Sequence, residues 1–329
     1  DVPTRQRNLQ TVFLHTWSRL SASARQVFMC LSVFRGGASA EAARQVAGAT
    51  PTVLAELVDM ALLRRLPNDR YEIHELLRQF AAEELAADTI EGGQAKAQQR
   101  HGHYYLSLLA EQEQPLQSPQ QRGALDTIQA DFENISVAWR WALRQHQFDL
   151  LSPAVDALFL YCDVRGALRA GLDLFAAVAT ELSVALEAAP SVRPIQRTLL
   201  GRLSARLGAG EVLLSNYARG EKYLLECLPY LQADEERAFV LAYLGQAAAE
   251  SGELALARTR LDESLAISRQ CNDFAGLAHA LQVLEVGRPF VEAQRLAAES
   301  LACARTAGRP DLIASRLNQF GWHTWCLGD

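Results

Sequence analysis

The chain has 329 residues, 49% apolar and 21% charged, with a formal charge of −6. That length allows two or three domains with ordinary cores. An acidic balance with only Lys96 and Lys222 as lysines argues against a general nucleic-acid binder, whose surface is basic. No apolar run approaches the roughly eighteen residues of a membrane span and no secretory leader is recognisable, so neither is expected. Six cysteines lie far apart without a CxxC pair, and are expected as single buried or half-buried thiols in a reducing, cytoplasmic compartment. Asp1-Val2-Pro3 opens the chain without a methionine, as expected of a piece cut from a longer protein.

Helical spacing of apolar residues runs from Leu9 to Leu20 and again from Ser23 to Phe34, where Gly36-Gly37 stops it. Ser39 caps a short helix ending at Gly48, and Thr50-Pro51-Thr52 starts another through Leu54, Leu57, Val58 and Ala61. Leu62–Leu66 and Tyr71–His74 flank Pro67-Asn68-Asp69-Arg70, a turn between two short strands. Helix resumes near His74 and reaches about Ala87. Three helices, a hairpin and a further helix make a winged-helix domain over residues 1–90.

After a polar, glycine-rich boundary near residues 90–95, only helical periodicity remains. Helices are expected over Ala97–Glu113, Leu125–His146, Leu150–Cys162 and Leu168–Ala188, forming a helical linker or bundle over 95–190. In the last third, Glu226-Cys227-Leu228, Glu263-Ser264-Leu265 and Glu299-Ser300-Leu301 recur at steps of 37 and 36 residues. Gly208 and Gly245 share the 37-residue step. Such a period is two antiparallel helices with two turns, so residues 195–329 are expected to stack as a repeat solenoid of tetratricopeptide type. The fold class is therefore mostly α: winged helix, helical linker, then TPR-like α-solenoid.

Several stretches, taken in order, resemble the region that follows the nucleotide-binding domain in STAND-class (NB-ARC/AP-ATPase-like) signalling regulators, in particular maltose-regulator-like or antibiotic-regulator-like proteins. They are Leu31-Ser32-Val33-Phe34-Arg35-Gly36-Gly37 followed by Glu41-Ala42-Ala43, then LAELVDMALL at Leu54–Leu63, and ALDTIQADFENISVAWRWAL at Ala124–Leu143. The repeats fit best at Leu241, Leu244, Gly245, Ala248, Ala257, Leu261 and Ser264; the next inter-helix turn, with Arg288-Pro289, reads as one residue shorter. YEIHELLRQF at Tyr71–Phe80 resembles the Met-His-Asp junction of that class, with Ile73, His74 and Glu75 in the three places.

That resemblance implies that His74 reaches the terminal phosphate of ADP in the full-length protein and holds the winged helix against its own upstream nucleotide-binding domain. An imidazole N–H is a directional donor to phosphate, and a helix start favours anions. Read from the residues alone, His74 satisfies a local backbone carbonyl or caps the hairpin. Full-length, the protein is expected to use ATP/ADP and Mg. This chain is expected to hold no cofactor or metal and to be no enzyme, because it has no G-x-x-x-x-G-K-[ST] run.

The implied function is a non-catalytic sensor and autoinhibitory arm of an ATP-dependent signalling or transcriptional regulator, with a small-molecule inducer or a protein on the repeats. The alternative is a protein-interaction scaffold without nucleotide switching. Tyr243, Gln246, Glu250, His279, Gln282, Asn318 and Trp322 fall on first helices of the repeat pairs and are the candidate ligand- or partner-binding residues. Direct nucleic-acid binding by the wing is not expected: residues 1–90 carry ten arginines and ten acidic residues, net zero, and the third helix holds Glu56 and Asp59. His101 and His103, two apart, do not share a helix face and read as partly exposed histidines rather than a metal pair. Trp139, Trp141, Phe159 and Tyr161 are expected to pack helices.

Overall fold

A computed structural model describes residues 16–87, 93–188 and 194–327. The helix expected over Leu9–Leu20 lies largely outside them. Two compact units divide the chain: Asp1–Leu108 with Asp131–Arg144, and Leu109–Ala130 with Gln145–Asp329. Residues 95–190, expected as one linker, are thus shared between the two.

In the first unit, α1 (Ala22–Leu31) starts at Ser21, whose hydroxyl accepts from the Ala24 N–H. Strand β1 (Ala38–Ser39) leads into α2 (Ala40–Ala47), capped by Ser39 and closed by Gly48 in the left-handed conformation. Thr50 caps α3 (Pro51–Asp59), with Pro51 in the first turn where its missing N–H is no loss. Strands β2 (Arg64–Leu66) and β3 (Arg70–Glu72) follow, joined through Pro67–Asp69, where Asn68 and Asp69 take positive φ. Helix α4 (Glu75–Ala87) completes the series. This is the helix and strand order expected of a winged helix.

The structure adds what the hairpin reading lacked. β1 pairs antiparallel with β3, Ala38 opposite Tyr71, so the sheet has three strands in the order β1-β3-β2. Arg70 opens the second strand of the hairpin instead of closing the turn. Gly37, at φ +83°, lets the chain enter β1, and a Cβ there would stand 2.7 Å from the Tyr71 carbonyl oxygen.

The long helices α5 (Gly93–Glu111) and α7 (Gln121–Arg144), on either side of the short α6 (Glu113–Leu116), replace the expected 97–113 and 125–146. α7 departs from helical geometry at Asp131 (φ −121°, ψ 16°), and the two units divide there. Within the first unit, Asp131 is the hub of an interior polar network. Arg70 forks onto its carboxylate at 2.9 and 3.2 Å, and the Tyr105 hydroxyl donates to it at 3.2 Å. Asn134 donates to Asp131 and to the Gly37 carbonyl, and accepts from the Arg35 N–H at 2.7 Å. His101 corrects the sequence expectation: it is 1% exposed, its Nε2 lies 3.3 Å from Asn134 Oδ1, and its ring packs on Phe34 and Tyr105. Its helix turns that side chain into the core, while His103 two positions on is exposed.

The second unit is helical throughout its described residues: α8 (Phe148–Leu151), α9 (Val155–Val164), α10 (Leu168–Ala188), α11 (Pro194–Leu213), α12 (Tyr217–Cys227), α13 (Asp234–Glu250), α14 (Leu254–Cys271), α15 (Phe274–Leu284), α16 (Phe290–Ala307) and α17 (Pro310–Leu327). From α11 onward they pack as antiparallel pairs, and each first helix also contacts the next first helix. The repeat phase is visible in atoms. Gly208 lies against Leu224 and Gly245 against Leu261; a Cβ at either would stand 2.6 Å from the leucine Cγ. At the shared middle position of the recurring triplet Cys227, Ser264 and Ser300 are all fully buried, and the two serines donate to first-helix carbonyls, Ser264 to Ala238 at 2.8 Å and Ser300 to Ala278 at 2.6 Å.

The third pair departs from expectation. Its inter-helix turn is longer, residues 285–289 against 214–216 and 251–253, and the lost length comes from α15, which ends at Leu284. Pro289 has no N–H to extend a helix, and Gly287 turns the chain at φ +75°. Trp139, Trp141, Phe159 and Tyr161 are all buried, as packing residues should be. Fully buried Phe28 and Phe175 each contribute about 1.5–3 kcal/mol to their units. Among the described residues no helix is long and apolar enough to cross a membrane.

Candidate functional site

A cleft of about 840 Å³ opens in the first unit between the end of α1, the start of β1, the strands of the wing and the start of α4. Arg35, Arg64, Arg65, His74, Glu75 and Arg78 are among its lining residues. Most of these charges are paired. Arg64 bridges Glu72 at 2.6 Å across β2 and β3, and Arg65 bridges Asp69. Arg78 forks onto Glu75 with 2.8 and 2.7 Å bonds, which holds the Glu75 carboxyl down to about 2. Arg35 differs: its guanidinium donates to the Ser32 and Phe34 carbonyls and meets no carboxylate among the described residues. Burial and the neighbouring Arg78 lower its pKa, against Glu75 and Glu133, which raise it.

His74 is exposed on this cleft, immediately before α4. Its carbonyl accepts the first helical bond, from the Arg78 N–H at 2.9 Å, so it occupies the N-cap position. The Leu76 N–H donates to its Nδ1 at 3.4 Å. A ring that accepts at Nδ1 carries its proton on Nε2 in the neutral form, which leaves one directed donor. One nitrogen thus caps its own helix, and Nε2 has no hydrogen-bond partner among the described residues. Glu75 sits in the first turn as expected, but its carboxylate is committed to Arg78.

In the second unit, the candidate residues do lie on first helices: Tyr243, Gln246 and Glu250 on α13, His279 and Gln282 on α15, Asn318 and Trp322 on α17. The structure brings two of them together directly. The Tyr243 and His279 rings lie 4.5 Å apart at 32°, continuing a run in which Phe159 meets Phe239 and Phe239 meets Tyr243. Gln246 and Gln282 are half-buried one turn further along the same helices. Glu250, Asn318 and Trp322 are exposed, and among the described residues no bond or ring contact joins them to that pair. Trp322 instead stacks on exposed Trp325 at 5.2 Å.

Sequence reading missed the charged groups on these same helices. Arg202 and Arg206 of α11 both grip Asp156 of α9 and Glu236 of α13. Arg206 also stacks on Phe239, 4.1 Å from the ring centre. Burial pushes the Asp156 carboxyl up, but Arg206 and Arg202 outweigh it and hold it below its ordinary value. Further along, His323 Nε2 lies 3.0 Å from Glu285 Oε2, which also accepts from Gln319 at 2.7 Å. The available signal was an arginine one turn after another, in a stretch of α11 rich in leucine, alanine and glycine.

No family model matches this chain, and no curated protein matches it. Among solved structures it is similar to a Signal Transduction ATPase with Numerous Domains (STAND) protein with a tetratricopeptide repeat sensor, from Pyrococcus horikoshii. The superposition has a TM-score of 0.60 at 17% sequence identity, and covers 96% of this chain and 43% of that one. At that identity the likeness is one of fold. The chain spans less than half the length of that protein.

Proposed function

We propose that this chain is the sensing and autoinhibitory arm of a STAND-type, nucleotide-dependent regulator. The observation that carries the reading is the likeness in fold to a STAND protein with a TPR sensor over 96% of the chain. In this reading the first unit is a winged helix that reports the nucleotide state. His74 is its latch: Nε2–H donates to the terminal phosphate of ADP held by an upstream nucleotide-binding domain that also binds Mg. A bond from such a donor to a charged oxygen is worth roughly 1.5–3 kcal/mol, enough to bias a closed state by about one to two powers of ten. Arg35, on the same cleft and without an ion pair among the described residues, favours an anion there.

The repeats receive the stimulus, a small inducer or a protein. They can switch the molecule only if that ligand binds the open and closed states unequally. The maltose-regulator-like and antibiotic-regulator-like proteins, transcriptional regulators, are the subclasses that the sequence resembles.

The test is ADP retention by the full-length protein. His74→Ala should release ADP roughly ten- to a hundredfold faster. Unchanged retention removes the latch. The exposed Trp322–Trp325 stack favours a second reading, a scaffold whose repeats hold a protein without switching. Under that reading a partner binds equally well whether or not the protein holds ADP.

A further inference from the structure

The repeats contain a buried cation with two nitrogens that lack a partner. Arg316, on α17, is 5% exposed, yet its Nε and Nη1 have no hydrogen-bond partner and it makes no ion pair among the described residues. Buried guanidinium groups are ordinarily forked onto carboxylates, as Arg206 is, because stripping water from an unpaired charge is expensive. The acid acting most strongly on Arg316 is Glu285, whose Oε2 is taken by Gln319 and His323, whose Oε1 has no hydrogen-bond partner, and whose pKa is raised, chiefly by burial.

Besides Glu285 Oε1, three more unpartnered polar atoms belong to α13, α15 and α17: His279 Nε2, Gln246 Oε1 and His323 Nδ1. Burial, with Arg316 and Arg309 adding to it, pushes the His279 imidazole down to about 3, so it is neutral. Gln246 lies one turn beyond Tyr243, which stacks on His279. Arg309 stands nearby but is forked onto Asp311. The unmet demands beside the aromatic pair are therefore an anion at Arg316, a donor at Gln246, and partners for His279 Nε2, Glu285 Oε1 and His323 Nδ1.

The geometry points to a site on α13, α15 and α17 for a small anionic ligand, a carboxylate or phosphate held bidentately by Arg316, with a hydroxyl or amino group donating to Gln246 and the ligand body lying on Tyr243 and His279. This rests on reading the repeats as a sensor and names the class of stimulus that they take. A guanidinium suits either acid group, because both offer two oxygens to its planar fork.

The experiment uses the 329-residue chain, its Arg316→Met and Arg316→Lys variants, and Arg258→Met as a control for net charge at an exposed arginine. Thermal shift and calorimetry are run with malate, inorganic phosphate and glucose 6-phosphate, and with glucose as a neutral probe. Binding by malate points to a carboxylate ligand, and binding by either phosphate to a phosphorylated one. The bound anion should weaken roughly ten- to a hundredfold in Arg316→Met and less in Arg316→Lys, but not in Arg258→Met. Without ligand, Arg316→Met should melt higher than the parent, since an unpaired buried charge has been removed. If it melts lower or fails to fold, the guanidinium is a structural partner of Glu285 and the proposal is overturned. Failure of every anion to bind, equal binding by Arg316→Met, or tighter binding of glucose overturns it as well. In the full-length protein, an anion that binds but leaves ADP retention unchanged removes the sensor reading and keeps the site.

Discussion

In the first unit, three arginines around the cleft pair with close neighbours in sequence: the exposed Arg65 with Asp69 and Arg64 with Glu72, and the largely buried Arg78 with the exposed Glu75. In the repeat unit, Arg202 and Arg206 instead reach across three helices to Asp156 and Glu236, and each of these four side chains is largely buried. Exposed pairs of the first kind contribute little, about 0–1 kcal/mol each. A buried ring of the second kind fixes which helix faces which, and breaking it strands a charge in the interior. The pairs around the cleft can therefore be broken at small loss, while the repeats use charge to set which helices face each other. Arg70–Asp131 shows that the first unit also uses the interior kind, at the hub that holds the loop before β1 rather than at the cleft.

The largest test of this contrast is Arg206→Met, which leaves Asp156 and Glu236 short of a partner. It should destabilise the repeat unit by about 3–5 kcal/mol, read as an earlier urea midpoint. A loss under about 1 kcal/mol would put the ring in the same class as the surface pairs of the wing.

Acid sensitivity sharpens the comparison next. Burial pushes His101 down to about 4, helped by Arg35 and opposed by the Asn134 bond, and pushes His279 down to about 3. Between the ordinary histidine value near 6.5 and those values, the unfolded chain takes up a proton that the native state refuses. Stability therefore falls as pH falls through that window. For His101 the full loss is roughly 3 kcal/mol at about 1.4 kcal/mol per unit. His101→Gln should flatten the pH dependence of the first unit and His279→Gln that of the repeats. Urea midpoints at pH 7.5 and 5, followed by tryptophan fluorescence, check this; an unchanged slope in both variants refutes the burial argument.

Smaller still is Gly245→Ala. Its new Cβ must displace Leu261, and overpacking of this kind costs about 1–3 kcal/mol. A neutral result would mean that α13 and α14 are free to separate. His74→Ala should move the stability of the isolated chain by less than about 0.5 kcal/mol, because the ring is exposed. A large loss there would make it a structural cap and nothing more.

Sequence reading reached the elements whose causes are local. Ser39, Thr50 and Gly48 mark helix ends through bonds and backbone angles that span a few residues. The 37-residue step was legible because each repeat must place a small residue where two helices touch, at Gly208 and Gly245, and a buried hydroxyl or thiol at Cys227, Ser264 and Ser300. The candidate residues on first helices followed from the same phase. What pattern alone could not supply was pairing across long separations: β1 of two residues is too short to carry a period, and Asp131 and Asn134 looked like any polar positions on a helical linker.

By itself the sequence determined an α-rich chain, a winged hairpin placing His74 before a helix, and a stacked array of helix pairs, because capping, turn chemistry and periodic burial act between near neighbours. Only the tertiary structure decided that Asp131 is the hub beneath the wing, that His101 is sealed in the core, and that Arg206 is satisfied while Arg316 is not. Those outcomes depend on which side chains from distant segments share one dry space, and there the strength of a charge is set by its partners and by the water it has lost.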